Sequence, residues 1–473
     1  MAFTSVDDLL AAIQPAEGGR EVFDPATEEL VGLAPQATAE DLEAAVDLAE
    51  AVQKSWAALS HEERSDFLSR AADAIEEAAE PLAVLLSREQ GKPLNGPNAR
   101  FEVGACVGWL RAHAAFEIDP EVVMEDENFR SEMHWDPIGI VGAISPWNWP
   151  MMISIWQWAA ALRMGNTVVA KPASSTTLSV LALAAVMNQV LPEGVLNVVP
   201  ASARVGAAIS GHPKIGKVMF TGSTEVGRIV ARDAADTITR LTLELGGNDA
   251  GIVLPGTDPA AIAEDVFWGA FINTGQTCAA LKRLYVHEDM YEEMVDALVA
   301  VAEQMPMGNG LDEQNVLGPL QNRAQYEVVK RLVDAARDSG ARIALGGNPD
   351  EDRPGFFYPT TIVADVDNEN PLVAEEQFGP ALPIIKYSDL DQAIEWANGL
   401  DVGLGSSVWG NDVDEAVEVA KKIEAGTTWI NGHGAVDPRV PFGGSKASGY
   451  GLEFGTSGLK AVAQPHVITI PKK

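Results

Sequence analysis

Apolar residues recur every three or four positions, with acids between them, in "AEDLEAAVDLAEAVQKSWAAL" and "HEERSDFLSRAADAIEEAAEPLAVLLSREQG". That spacing gathers the apolar side chains on one face, so the first hundred or so residues read as helices. The rhythm then changes. "EVVMEDENFRSEMHWD" (121–136) reads as two short strands joined by a charged turn at Glu125-Asp126-Glu127-Asn128. From residue 138, β-branched apolar runs ("IGIVGAIS", "TVVAKPA", "VLNVVP", "KVMFTG", "LTLELGG") alternate with helical stretches ("MMISIWQWAAALRMG", "TLSVLALAAVMNQV", "ARVGAAISG", "STEVGRIVARDAA"). Such alternation predicts a parallel sheet covered on both faces. A second series starts at "AGIVL" (250–254) and runs through "KRLYVHE", "ARIALGG", "ALPIIKY", "LGSSVWG" and "GTTWING", so a domain boundary is expected near Gly246-Gly247. The tail "AVAQPHVITIPKK" reads as an edge strand that reaches back to another element or to another subunit.

The totals narrow the class. The 473 residues suffice for two or three domains with substantial cores, and 47% hydrophobic with 21% charged residues is ordinary for a soluble globular protein. Two cysteines cannot form a disulfide framework, which points to a reducing cytoplasm. A net charge of −35 repels nucleic acid and anionic membrane surfaces, so neither is an expected partner. The same excess of carboxylate fits a salty cytoplasm or simply an acidic cytosolic enzyme. The N-terminal stretch lacks the basic-then-apolar order of a signal peptide. Residues 137–162 carry no charge, but three prolines, Asn148 and Gln157 would break a spanning helix, so a strand, a turn and a helix are expected there.

Ligands of alternating α/β folds sit where strands end and helices begin. "FTGSTEVG" puts Gly222 and Gly227 at such a junction, where backbone N–H groups can meet a pyrophosphate, although the spacing is not the GxGxxG fingerprint. Lys171 ends a strand, where its ammonium reaches ribose hydroxyls or phosphate, or is simply a solvated surface charge. Asn148, in the proline-flanked turn "ISPWNWP", can donate to an oxyanion or bond its own backbone. Glu244 interrupts the alternation of a strand expected to be central, and a carboxylate there must be paired, protonated or used. Cys278 follows 34 residues later in "FINTGQTCAALKRLYV". A small-residue polar bend exposes a thiolate nucleophile better than a core does, whereas Cys106 reads as a buried helix residue.

"PWNWP", "FTGSTEVG", "LELGG", "NTGQTC", "EEQFGP" and "PFGGSKASG", in this order and at these separations, resemble the NAD(P)-dependent aldehyde dehydrogenase superfamily over nearly the full length. The resemblance implies an α/β fold in three parts. These are a parallel-sheet cofactor domain (1–117 and 138–246), an α/β catalytic domain (247–445) and a small β arm for oligomerisation (118–137 and 459–473), in homodimers or homotetramers. It implies that Cys278 is the nucleophile and Glu244 the general base, with Asn148 and the Cys278 N–H forming the oxyanion hole. NAD or NADP would be held by Trp147, Lys171, Ser174, Gly222, Ser223, Gly227, Glu376 and Phe378. No metal is implied.

Two positions depart from the common pattern. Ser174 stands where many NAD-preferring members carry a glutamate, and serine would not repel a 2′-phosphate. Gln157 stands where many carry a lysine proposed to relay the Glu proton. Trp149, Met152 and Trp156 are expected to line the substrate tunnel and favour an apolar or aromatic aldehyde, unless they are core packing on one helix. An aromatic wall also suits a trimethylammonium aldehyde. His433 is expected near the substrate, and Arg439 would suit a semialdehyde bearing a carboxylate, unless either faces solvent. A CoA-acylating dehydrogenase has no use for the Glu244 base. A thiol hydrolase needs a histidine partner that no motif supplies, and a non-enzymatic binding protein needs none of these residues.

Overall fold

A computed structural model describes residues 3–472. Residues 1, 2 and 473, the outermost positions of the first expected domain and of the tail, lie outside the described residues. The N-terminal helices begin where the sequence supplies caps. Thr38 and Asp41 close a capping box on Ala39–Ala57, and Ser60 and Glu63 close one on His61–Glu77. The long periodic run expected over 61–91 is two helices, because the chain breaks at Ala78 before resuming as Ala79–Gln90. An antiparallel hairpin, Arg20–Phe23 with Leu30–Ala34, lies in the region expected to be helical throughout. Its strands are too short to carry a readable alternation.

The first alternating series builds one sheet. Arg240–Glu244, Ile215–Thr221, Ile140–Ile144, Thr167–Lys171 and Leu196–Val198 lie side by side in that order, all parallel. The Glu244 strand is therefore not central, as the sequence suggested. It is the last of the five, and its outer edge is covered by the two-residue strand Gly449–Tyr450, with Gly449 opposite Glu244. The uncharged stretch folds as expected into strand, turn and helix. Every residue of the helix Pro150–Arg163 is buried, and among the described residues no helix is long and apolar enough to cross a membrane.

The second series builds a seven-stranded sheet in the order Arg342–Leu345, Thr361–Ala364, Ala381–Tyr387, Leu281–His287, Asp249–Val253, Gly405–Trp409 and Thr427–Ile430. It is parallel except at Arg342–Leu345, which runs antiparallel to Thr361–Ala364, a four-residue strand that the sequence pattern did not signal. The tail Ala463–Pro471 reaches back to Phe129–Pro137, which also pairs with Glu121–Glu125 across the charged turn. Residues just past the C-terminal ends of three strands of the first sheet (Pro146, Trp147 and Asn148; Gly222 and Ser223; Leu245 and Gly246) and the segment entering the second sheet (Cys278 before Leu281) converge on one cleft. Glu244 itself lies outside its lining.

Candidate active site

Cys278 is presented by a strained bend. After the helix Pro259–Phe271, Asn273 and Thr274 both adopt left-handed backbone angles (φ 51° and 57°), unusual for a β-branched threonine. Gly275 follows at φ 76°, where an added Cβ would lie 2.3 Å from the Gly379 carbonyl. The strain is held by hydrogen bonds: Gly318 N–H donates to Thr274 Oγ1 at 2.9 Å and Gln321 N–H to Gln276 Oε1 at 2.9 Å.

Asn148, just past the end of the Ile140–Ile144 strand of the first sheet, is tied to this bend. Its Nδ2 donates to the Gln276 carbonyl at 2.9 Å, and its own carbonyl accepts from Asn273 Nδ2 at 2.8 Å. The same carbonyl accepts from Lys92 Nζ at 2.8 Å. Lys92 is wholly buried, pairs with Glu102 at 2.5 Å and lies 3.6 Å from the centre of the Trp149 ring. The other Glu102 oxygen accepts from Met151 and Met152 N–H, the first turn of the tunnel helix. Burial pulls the Lys92 ammonium down to about 8, against the pull of Glu102.

Two cavities meet at Cys278. One, of about 680 Å³, is lined by Trp149, Met152, Trp156, His433 and further aromatic residues, among them Phe101, Trp109, Trp268 and Phe442. The His433 ring is turned inward rather than toward the opening. Its Nδ1 meets Ser407 Oγ at 3.0 Å and its Nε2 points at Asp249 Oδ2 at 3.5 Å. Arg439 forms both its bonds with Asp437 and is exposed.

The other cavity, of about 290 Å³, is lined by Trp147, Asn148, Gly222, Ser223, Gly246, Glu376 and Phe378, among others. Its walls need glycine: a Cβ on Gly222 would lie 2.6 Å from the Phe220 ring, and one on Gly246 would lie 2.7 Å from Glu376 Oε2. Ser223 caps the helix Thr224–Ala235, which points its positive end here. Glu376 Oε1 is buried without a hydrogen-bond partner, and burial raises the carboxyl to about 7. An unsatisfied acceptor beside a helix N-terminus fits a dinucleotide, whose ribose hydroxyls donate and whose pyrophosphate is anionic. Gly227 is not among the lining residues. It packs on Leu245, where a Cβ would lie 2.5 Å from Cδ2, so helix packing accounts for it. Lys171 and Ser174 also lie outside this lining. The Lys171 stem covers Gly206, and the Ser174 carbonyl accepts from Arg20.

Glu244 ends its strand buried, with neither carboxylate oxygen hydrogen-bonded. Burial, and then the neighbouring Glu453, hold its pKa well above the ordinary value. Glu453 is itself buried and raised to about 8, opposed by Lys217, whose Nζ donates to Thr242 Oγ1 at 2.7 Å. Gln157 is bonded to Thr221 Oγ1 at 3.1 Å and does not join this cluster. Sequence reading missed Glu453, Lys217, Lys92, Glu102 and Asp249. The available signal was charge out of place, as with Lys217 interrupting the apolar strand "IGKVMFT".

Comparison with known proteins gives this constellation its class. A model of the Aldehyde dehydrogenase family matches residues 13–468. Geranial dehydrogenase of Castellaniella defragrans is 38% identical over 446 residues, covering 93% of each chain. The NAD+ complex of an aldehyde dehydrogenase from Bacillus cereus superposes with a TM-score of 0.92 at 35% identity, covering 96% of this chain and 94% of that one. An NADP-dependent enzyme of E. coli superposes with a TM-score of 0.93 at 32% identity, covering 97% and 96%. The chain belongs to the aldehyde dehydrogenase family. It is an NAD(P)-dependent aldehyde dehydrogenase, and the fold expected from its motifs is the fold it has.

Proposed function

We propose that this enzyme oxidises an apolar or aromatic aldehyde to its carboxylate, with Cys278 as nucleophile and Glu244 as the base that deprotonates the hydrolytic water. The observation that carries the reading is the position of Cys278 at the junction of an aromatic cavity and a glycine-walled one. The aromatic cavity takes the aldehyde, and the other takes the dinucleotide. Similarity to a geranial dehydrogenase supports an apolar substrate.

Cys278 Sγ attacks the carbonyl carbon, and the resulting alkoxide is met by the Cys278 N–H and by Asn148. One Asn148 amide proton is engaged with Gln276, which fixes the side chain and leaves its second N–H to donate. Bound NAD(P)+ would supply the hydride acceptor at this site. Trp147, Gly222, Ser223, Glu376 and Phe378 would hold it, with Lys171 and Ser174 at the adenosine ribose. Burial lowers the Lys171 pKa, helped by the nearby Arg20 charge. A second cation at this end supports use of NADP beside NAD. The thioester left on Cys278 is hydrolysed by water that gives its proton to Glu244. Glu453 and Lys217 are the groups next in line to carry that proton away.

A trimethylammonium aldehyde is the second reading, supported by the same aromatic walls and by Asp265 at their rim. A semialdehyde loses support because Arg439 is engaged by Asp437. The three-stranded arm exposes Val122, Val123, Met124, Phe129, Val467, Ile468 and Ile470, which supports assembly of a homodimer or homotetramer through it. On this reading 1–117 with 138–246 forms the cofactor domain, 247–445 the catalytic domain, and 118–137 with 459–473 the arm.

The test is reduced-nicotinamide formation without CoA, using aliphatic, aromatic, cationic and carboxylate-bearing aldehydes with NAD and NADP at low and high salt. Fastest turnover of apolar or aromatic aldehydes is expected, and turnover that requires CoA would refute hydrolysis.

A further inference from the structure

We infer that Lys282 is a positioning cation for the Cys278 thiolate, set behind the nucleophile by the strand that follows it; this rests on Cys278 being the nucleophile. Lys282 is the second residue of Leu281–His287, and its side chain is 1% exposed. Its Nζ donates to the Thr277 carbonyl. That carbonyl belongs to the peptide whose N–H is the main-chain N–H of Cys278. A cation on the carbonyl side polarises the peptide and strengthens the N–H that meets the alkoxide. The same ammonium lies 5.1 Å from the centre of the Phe378 ring, so it sits between the nucleophile loop and a wall of the cofactor cavity.

The charge of Lys282 is incompletely cancelled. Its nearest carboxylate, Glu376 Oε1, is 3.8 Å away, beyond hydrogen-bond reach, whereas Lys92 is matched by Glu102 at 2.5 Å. A buried, under-neutralised ammonium projects its field through a medium that screens poorly. The charged groups acting on Cys278 are Lys282 on one side of the balance and Asp249, Glu376 and Glu244 on the other. Burial and those three carboxylates push the thiol up to about 12, and Lys282 is the charge that opposes them. Gln157 brings no charge to the cleft, and the Lys92 charge is spent on Glu102. Lys282 therefore sets how readily Cys278 ionises, apart from any role in holding substrate.

The experiment is alkylation of the cofactor-free, full-length protein by iodoacetamide, followed by intact mass across pH. Wild type is compared with Lys282→Met, Lys282→Gln and Lys282→Arg, and Cys278→Ser serves as the blank because Cys106 is buried. Lys282→Met should alkylate about tenfold more slowly at pH 8, its profile displaced upward by about one unit, as loss of one neighbouring charge implies. Lys282→Gln keeps a hydrogen-bond donor without the charge and should match Lys282→Met. Lys282→Arg should stay within about threefold of wild type. A wild-type profile in Lys282→Gln, or a Lys282→Arg variant as slow as Lys282→Met, overturns the inference. The assay needs no aldehyde, so its failure is distinct from failure of the oxidation reading. A wild-type Cys278 that resists alkylation at every pH would sink both.

Discussion

Two clusters of buried charge flank the cleft, and they are built in opposite ways. In the Lys92–Glu102 cluster the partners are in place: carboxylate to ammonium, carboxylate to two helix N–H groups, ammonium to the Asn148 carbonyl. In the Glu244–Glu453 cluster both oxygens of Glu244 and one of Glu453 have no partner; burial raises both acids, and Glu453 raises Glu244 further. A satisfied buried pair fixes geometry, whereas an unsatisfied buried acid costs stability and persists where a ligand or proton completes it. The difference separates a cluster whose bonds hold Asn148 still from one whose acids have acceptor capacity left over.

The comparison breaks most visibly at Glu244. Glu244→Gln should allow one burst of reduced nicotinamide, matched to enzyme concentration, and then slow steady turnover by about 10²–10⁴-fold, the usual worth of a general base. Stopped-flow absorbance reads both phases, and full steady-state activity would remove Glu244 from deacylation. The fold should be no less stable, because the lost carboxylate has no hydrogen bonds to lose. Lys92→Met should do the reverse. Leaving Glu102 buried and unpaired should cost about 3–5 kcal/mol in a denaturant titration, and an unchanged midpoint would show that the pair holds nothing. Between these lies Asn148→Ala, which should slow the burst itself by about 10²–10³-fold, the measured scale for an oxyanion donor. A normal burst would move the alkoxide elsewhere.

The same contrast marks how far the sequence could be read. Strand and helix order was legible from residue 138 onward because short β-branched runs and amphipathic helices carry their period locally, as in "TVVAK" and "IGIVGAIS". Cys278 and Asn148 stood out as candidates for a similar reason: each sits in a turn whose own residues make it conspicuous. Lys92, Glu102 and Glu453 were not. Glu102 lies 46 positions from Asn148 and Glu453 lies 209 from Glu244, so only the fold brings each pair together. The Glu244 strand was misplaced at the sheet centre because apolar alternation reports burial, and burial here comes from the late strand Gly449–Tyr450 covering an edge. His433 was expected at the substrate. It lines the cavity, yet its Nδ1 is bonded to Ser407 and its Nε2 faces Asp249 at 3.5 Å without a hydrogen bond, contacts to strands over 25 residues away.

The smallest expected effect is the sharpest test of how the acid cluster works. Glu453, when ionised, disfavours ionisation of Glu244, so Glu453→Gln removes a cause of the raised Glu244 pKa. On the proposed mechanism deacylation needs ionised Glu244, so activity should rise with pH in the wild type, and in Glu453→Gln that rise should move to lower pH by about one unit, the scale of a single close charge. Stability supplies an independent sign. Glu453 titrates near 8 in the folded chain, well above the ordinary carboxylate value. Between those two values the folded state holds a proton that the unfolded state has lost, so this group's contribution declines as pH rises through that window. Glu453→Gln should flatten the decline of the thermal midpoint toward pH 8. If the activity limb moves up instead, Glu453 delivers protons rather than drawing them off, and the order of the two acids in the proton path must be reversed.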